Sequence, residues 1–170
     1  RTVACVETEG GGILSVWRTG EDETEITGNV SEILSVSDQG TCVMYRKDSD
    51  RLYLSHGKEE KCLASVRGSV NYVLNEAQTE ILYTDEEGAW YYSAGQEEPV
   101  RLTGVKGAAV TSCYLEDTAY QQRQGLILGK KTLKNMLFAT RDRRDHMYHI
   151  YHLDGEGNGA KALSGHTDQF

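Results

Sequence analysis

The sequence predicts an all-β, propeller-like fold, with about four blades of four antiparallel strands each. Three observations predict it. A pattern of strand-forming runs and polar turns recurs at a fixed spacing of 38 residues. The runs are short and rich in Val, Ile, Leu, Tyr and Trp, with Asp, Glu and Gly in the turns between them. No segment sustains a helical period, the exception being 115–124.

The repeat is read by stepping back along the chain. Ile81-Leu82-Tyr83 falls on Val43-Met44-Tyr45, and Trp90-Tyr91-Tyr92-Ser93 falls on Leu52-Tyr53-Leu54-Ser55, with no gap. Gly95 falls on Gly57, and Glu97-Glu98 on Glu59-Glu60. A second step takes Leu52-Tyr53-Leu54 to Leu14-Ser15-Val16, and Gly104 reaches Gly28. A four-stranded unit of this length, repeated, is a propeller blade. The third unit has strands at about 69–74, 80–84, 89–93 and 99–103. Alternation along its third strand puts Trp90 and Tyr92 on one face and Tyr91 on the other, so both faces are packed.

The blades run at about 1–28, 29–66, 67–104 and 105–165, within a single domain or propeller part. The first has three strands, at about 2–7, 13–17 and 23–27, and lacks its first. The tail, 166–170, is the segment that could close a ring there. The alternatives are a longer propeller and a half-ring that dimerises. The fourth blade is stretched. Its end, "AKALSG" at 160–165, matches "PVRLTG" at 99–104 with an offset of 61, and "MLFATRD" at 136–142 reads as its second strand. The extra residues therefore sit mostly at 115–135. Packing onto its own blade is the simplest expectation for this insertion; capping a channel or pairing with another chain are the alternatives.

The stretches "ILYTDEEGAWYYSAGQEEPVRLTG" and "VMYRKDSDRLYLSHGKEEKCLA" resemble the TolB-type, WD40-like propeller repeats of bacterial proteins. The same style occurs in the propeller domains of dipeptidyl-peptidase-like enzymes and in uncharacterised Firmicutes surface proteins. The resemblance covers nearly the whole chain and implies a propeller fold in an extracytoplasmic or cell-surface bacterial setting. It carries no catalytic motif. The Trp-Asp dipeptide and the rest of the Gly-His signature of true WD40 blades are absent.

Charge and composition narrow the function. A net charge of −8, spread along the chain, disfavours nucleic acid and anionic membranes as partners. No apolar run approaches the roughly 20 residues of a membrane-spanning helix. Cys5, Cys42, Cys62 and Cys113 include no CxxC pair and read as buried thiols used as small hydrophobes. There is no serine-nucleophile elbow, phosphate loop or calcium-loop consensus. The paired acids Glu21-Asp22, Glu59-Glu60 and Glu97-Glu98 occupy one repeat position and read as one recurring turn, not as a converging catalytic pair.

Two sequence features stand out for chemistry. In "HMYHIYH", His146 and His152 share a strand face while His149 points away. The two lie roughly 20 Å apart at about 3.3 Å per residue, too far to share a metal. "RDRRDH" at 141–146 is a charged hairpin tip. The expectation is no metal, no cofactor and no catalysis. The reading is a non-enzymatic module binding a protein or peptide, with the insertion and the hairpin tip as its contact: Tyr120, Arg123, Lys130, Lys131, Arg143 and Arg144. The alternatives are a carbohydrate-binding or glycan-processing propeller, which needs exposed aromatic platforms, and a half-ring completed by another chain.

Overall fold

A computed structural model describes residues 2–7, 12–48, 50–65, 71–85, 87–102, 109–112, 125–141 and 148–163. Among them there is no helix, and the strands form four sheets in two compact units.

The first unit holds β1 (Thr2–Glu7), β2 (Ile13–Arg18) and β3 (Thr24–Thr27) as one three-stranded antiparallel meander. It also holds β4 (Val30–Val36), β5 (Cys42–Lys47), β6 (Arg51–His56) and β7 (Glu59–Ser65) as a four-stranded meander. Among the described residues the first sheet has three strands, as its sequence predicts. Alternating residues from the two sheets meet in a shared core: Leu14 and Val16 from β2, Val30 from β4, Val43 and Tyr45 from β5. Their burial is the main stabilising term, worth about 25 cal/mol per Å² of apolar surface removed from water.

The second unit begins with β8 (Asn71–Leu74), β9 (Glu80–Thr84), β10 (Ala89–Ser93) and β11 (Val100–Arg101), an antiparallel meander. Then come β12 (Ala109–Ser112), β13 (Gly125–Ile127), β14 (Leu137–Arg141), β15 (Tyr148–Leu153) and β16 (Ala160–Ala162). Strands β12, β14, β15 and β16 form the fourth sheet, in that order. Its core with the third sheet contains Val73, Leu82, Tyr91 and Leu102 from one side, and Phe138, Tyr151 and Leu153 from the other. The fold is thus all-β and propeller-like, with four blade-like sheets and an insertion in the fourth.

Three expectations are corrected. The insertion does not pack on its own blade alone. Its strand β13 leaves the fourth sheet and pairs in parallel with β8, Leu126 opposite Val73, making the third sheet five-stranded. Its apolar residues Leu128 and Leu133, with Met136 just beyond it, are buried in the second unit's core, and that burial is what draws the segment across.

The gapless repeat also conceals a slip. Tyr45 stands opposite Tyr53 in the second sheet, whereas Tyr83 stands opposite Trp90 in the third. The third strand is therefore offset by one residue from the sequence match. The paired acids, finally, do not share one turn: Glu59 and Glu60 lie in β7, while Glu97 and Glu98 lie in the β10–β11 connection. The tail and 115–124 lie outside the described residues.

Candidate functional site

The insertion's return is built on the β8–β9 turn. Asn75 is buried, and a buried amide needs partners. Its Oδ1 accepts the Glu80 N–H at 2.8 Å, closing the turn, and its Nδ2 donates to the Lys131 carbonyl at 2.9 Å. The next N–H along, that of Glu76, donates to the Lys130 carbonyl at 2.8 Å. Glu80 then grips the following residues: its Oε2 accepts from Thr132 Oγ1 at 2.9 Å and from the Leu133 N–H at 2.7 Å. Leu133 is fully buried and Leu128 nearly so, which anchors the segment at both ends.

The result is a short platform, 127–134, held through its backbone and through the Thr132 hydroxyl. Ile127 is 48% exposed, a large apolar residue left at the surface. Lys131 is exposed, and Lys130 and Lys134 are half-buried. Of the residues singled out by sequence, Lys130 and Lys131 are thus brought together on this platform. Tyr120, Arg123, Arg143 and Arg144 lie outside the described residues, as does His146.

A polar cluster sits in the first unit. Glu60 accepts from Tyr45 Oη at 2.7 Å and from Lys47 Nζ at 2.8 Å. Lys47 Nζ also donates to Thr27 Oγ1 at 2.7 Å and lies 4.9 Å over the Tyr53 ring. Burial, and then the Glu60 carboxylate, push the Tyr45 phenol above its ordinary value. Burial opposes ionisation of Glu60, but its bonds to Lys47 and Tyr45 outweigh that and hold its carboxyl below the usual range. Each group here is satisfied by another within the fold, so the cluster ties β3, β5 and β7 together and offers no reactive group.

His149 and His152 do not converge. His149 is buried on β15, beside Tyr151 at 6.5 Å between ring centres, and His152 is three residues further on, facing the other way. Among the described residues, no three His, Cys, Asp or Glu side chains are grouped to hold a metal. The cysteines do not all behave as core residues: Cys42 is buried and Cys5 half-buried, but Cys62 is exposed. The aromatic surface that glycan stacking needs is missing among the described residues. Tyr91 and Tyr92 are buried, and Trp90 is half-buried with its Nε1 donating to Asp85 Oδ1 at 2.9 Å.

Nothing in the sequence marks a second feature, an open cleft of about 420 Å³ in the first unit. Thr2, Arg18, Thr19, Glu21, Gln39 and Thr41 line it. These residues come from three separate turns and strand ends, so no local motif announces them. Arg18 reads in the sequence as an ordinary strand-end charge.

No family model matches this chain, and no curated protein matches it. The TolB-type likeness therefore rests on the strand and turn pattern. Among solved structures, "Oligogalacturonate lyase in complex with manganese" is similar, with a TM-score of 0.41 and 12% identity. The match covers 96% of this chain and 52% of that one, so this chain spans about half that protein's length. A likeness at that level says nothing of activity or metal.

Proposed function

We propose that this chain is a non-enzymatic, propeller-like module that binds a protein or peptide, with the 127–134 platform as its contact. The observation that carries this reading is the way the platform is held. Its carbonyls are gripped by Asn75 and Glu76 and its Leu133 N–H by Glu80, so the loop is ordered before any partner arrives. Pre-ordering lowers the entropic cost of binding. Lys131 is exposed and Lys130 and Lys134 are half-buried beside an exposed isoleucine, on a protein of net charge −8. That combination fits a partner segment carrying acidic residues next to an apolar one. Insertions in repeat folds often form the binding face, which adds weight. The repeat resemblance favours a bacterial surface or membrane-anchored protein as the setting.

The test is calorimetric titration with a short peptide of alternating Glu and Leu, at low and high salt. Replacing Lys130 and Lys131 together by Ala is expected to weaken binding by about tenfold at low salt and by much less at high salt, since exposed charges are screened. Equal affinity for the double variant and the parent at low salt would remove the platform from the binding surface.

A further inference from the structure

The Arg18 cleft contains a cation that the fold has fixed in place and only loosely neutralised. Arg18 ends β2. Its Nε donates to the Gln39 carbonyl at 2.6 Å and one terminal nitrogen donates to the Gly40 carbonyl at 3.2 Å. Those two carbonyls belong to a turn that is closed independently of Arg18. Gly40 N donates to Ser37 O at 2.7 Å, and Cys42 N donates to Ser37 Oγ at 2.9 Å. Gly40 has φ of +65°, and a Cβ there would stand 2.5 Å from the Thr2 methyl, so the turn approaches β1 as only glycine allows. Thr2 Oγ1 adds a bond to the Asp38 carbonyl at 2.8 Å. The guanidinium is therefore oriented by backbone that cannot move away without opening the turn.

Its remaining partner is different in kind. The other terminal nitrogen donates to Glu21 Oε2 at 2.9 Å, and the Glu21 side chain is 57% exposed on the β2–β3 turn. An exposed pair of this type contributes little to stability and is exchanged readily. A guanidinium has five N–H donors. Three are used here among the described residues. A planar donor set held in place beside an open cleft matches a carboxylate in charge and shape. The overall negative charge of the chain works against ligands bearing several charges and favours a singly charged group.

We propose that the Arg18 cleft binds the carboxylate of a ligand, and that Glu21 is a tethered competitor which the ligand displaces. The carboxylate could belong to a small organic acid or to an acidic residue of a peptide. The site is independent of the lysine platform in the second unit.

The experiment follows the Arg18 Nε–H resonance by NMR during titration of the whole chain. One arm uses butyrate; the other uses an acetylated, amidated tripeptide, Gly-Glu-Gly. Arg18→Gln is expected to abolish saturable binding. Because that change could also loosen the turn, Glu21→Gln is the deciding variant. It removes the competitor and leaves the turn intact, and it is expected to tighten binding by about two- to fivefold, the strength of an exposed ion pair. Lys130→Ala with Lys131→Ala is expected to leave this binding unchanged. Saturation by butyrate alone assigns the site to small acids, and saturation by the tripeptide alone assigns it to peptides. No saturation by either probe up to about 10 mM, or an unchanged affinity in Glu21→Gln, overturns the proposal.

Discussion

The second and third sheets share a sequence spacing and differ in register, and the difference is set by one carboxylate. In the second sheet, Tyr45 stacks on Tyr53 at 5.7 Å between ring centres, with Lys47 over the Tyr53 ring. In the third, Tyr83 stacks at 6.5 Å on Trp90, one position earlier than the repeat would place the partner. Asp85 accounts for the choice. Its Oδ1 accepts the N–H groups of Glu87 and Gly88 and the indole N–H of Trp90, closing the turn in the register that pairs Tyr83 with Trp90 and holding the indole over Tyr83. The β10–β11 connection, 94–99, is in turn longer than the β6–β7 one, 57–58. Tyr91 is thereby released into the core, where the second sheet has only a half-buried Tyr53 at the matching sequence position. A constant repeat length conserves the number of strands and their order, and leaves free which side chain of a strand meets the core.

The largest expected effect tests that statement directly. Tyr91→Ala should cost about 4 kcal/mol in urea unfolding and Tyr53→Ala no more than about 1.5, because a large cavity opens only in the first case. Equal losses would mean that the two strands share one register.

Next comes the glycine that receives the Tyr91 ring. Gly157 has φ of +79°, and a Cβ there would lie 2.4 Å from the ring. Gly57 has φ of +61° and nothing within 4 Å. Alanine at Gly157 should cost about 3 kcal/mol, from overpacking added to the left-handed backbone, and alanine at Gly57 about 1. Thermal or urea unfolding of both variants checks the gap between them; a gap under about 1 kcal/mol would show that the Tyr91 ring can move aside.

The smallest effect concerns Glu60, which lies in β7 while its sequence match, Glu98, lies in the β10–β11 connection. Glu60→Gln should cost about 1 to 2 kcal/mol near neutral pH, the scale of a hydrogen bond to a charged group, and Glu97→Gln in the exposed connection less than about 0.5. The pH dependence has a definite sign. The folded-state pKa of Glu60 is lowered, so its contribution is present above the ordinary carboxyl value of 4.5 and is lost as pH falls through the folded value. Acid unfolding of Glu60→Gln should therefore show a shallower slope below pH 4.5 than the parent. An identical slope would assign the acid sensitivity to other groups, such as Asp154, whose carboxyl is held low by backbone N–H groups, that of Asn158 first.

Strand order, blade count and the position of the insertion were legible in the sequence, because short alternating runs and turn residues report local structure directly. Register was not. The Asp85–Trp90 bond depends on side-chain direction, which a strict residue count does not carry. The path of the insertion was hidden for another reason. "GLIL" is a short apolar run that could satisfy any open strand edge, and only the geometry selects β8. Lys130 and Lys131 were legible as a charged stretch, while their backbone clamps to Asn75 and Glu76 join residues far apart in the chain. The Arg18 cleft, assembled from three separate segments, left no local trace at all.

The parallel pairing of β13 with β8 has a consequence for how the second unit forms. Hairpins close early because their ends are near in sequence, whereas a parallel ladder between distant segments must wait for the loop between them to be drawn in. The β8 edge therefore stays open until the insertion has been synthesised and returned. Ending the chain after the third sheet would leave that edge without its partner and Val73 without Leu128 and Leu133 around it. The third and fourth sheets consequently gain their stability together, and a nascent chain halted between them is the species most exposed to wrong pairing with a neighbour's strand.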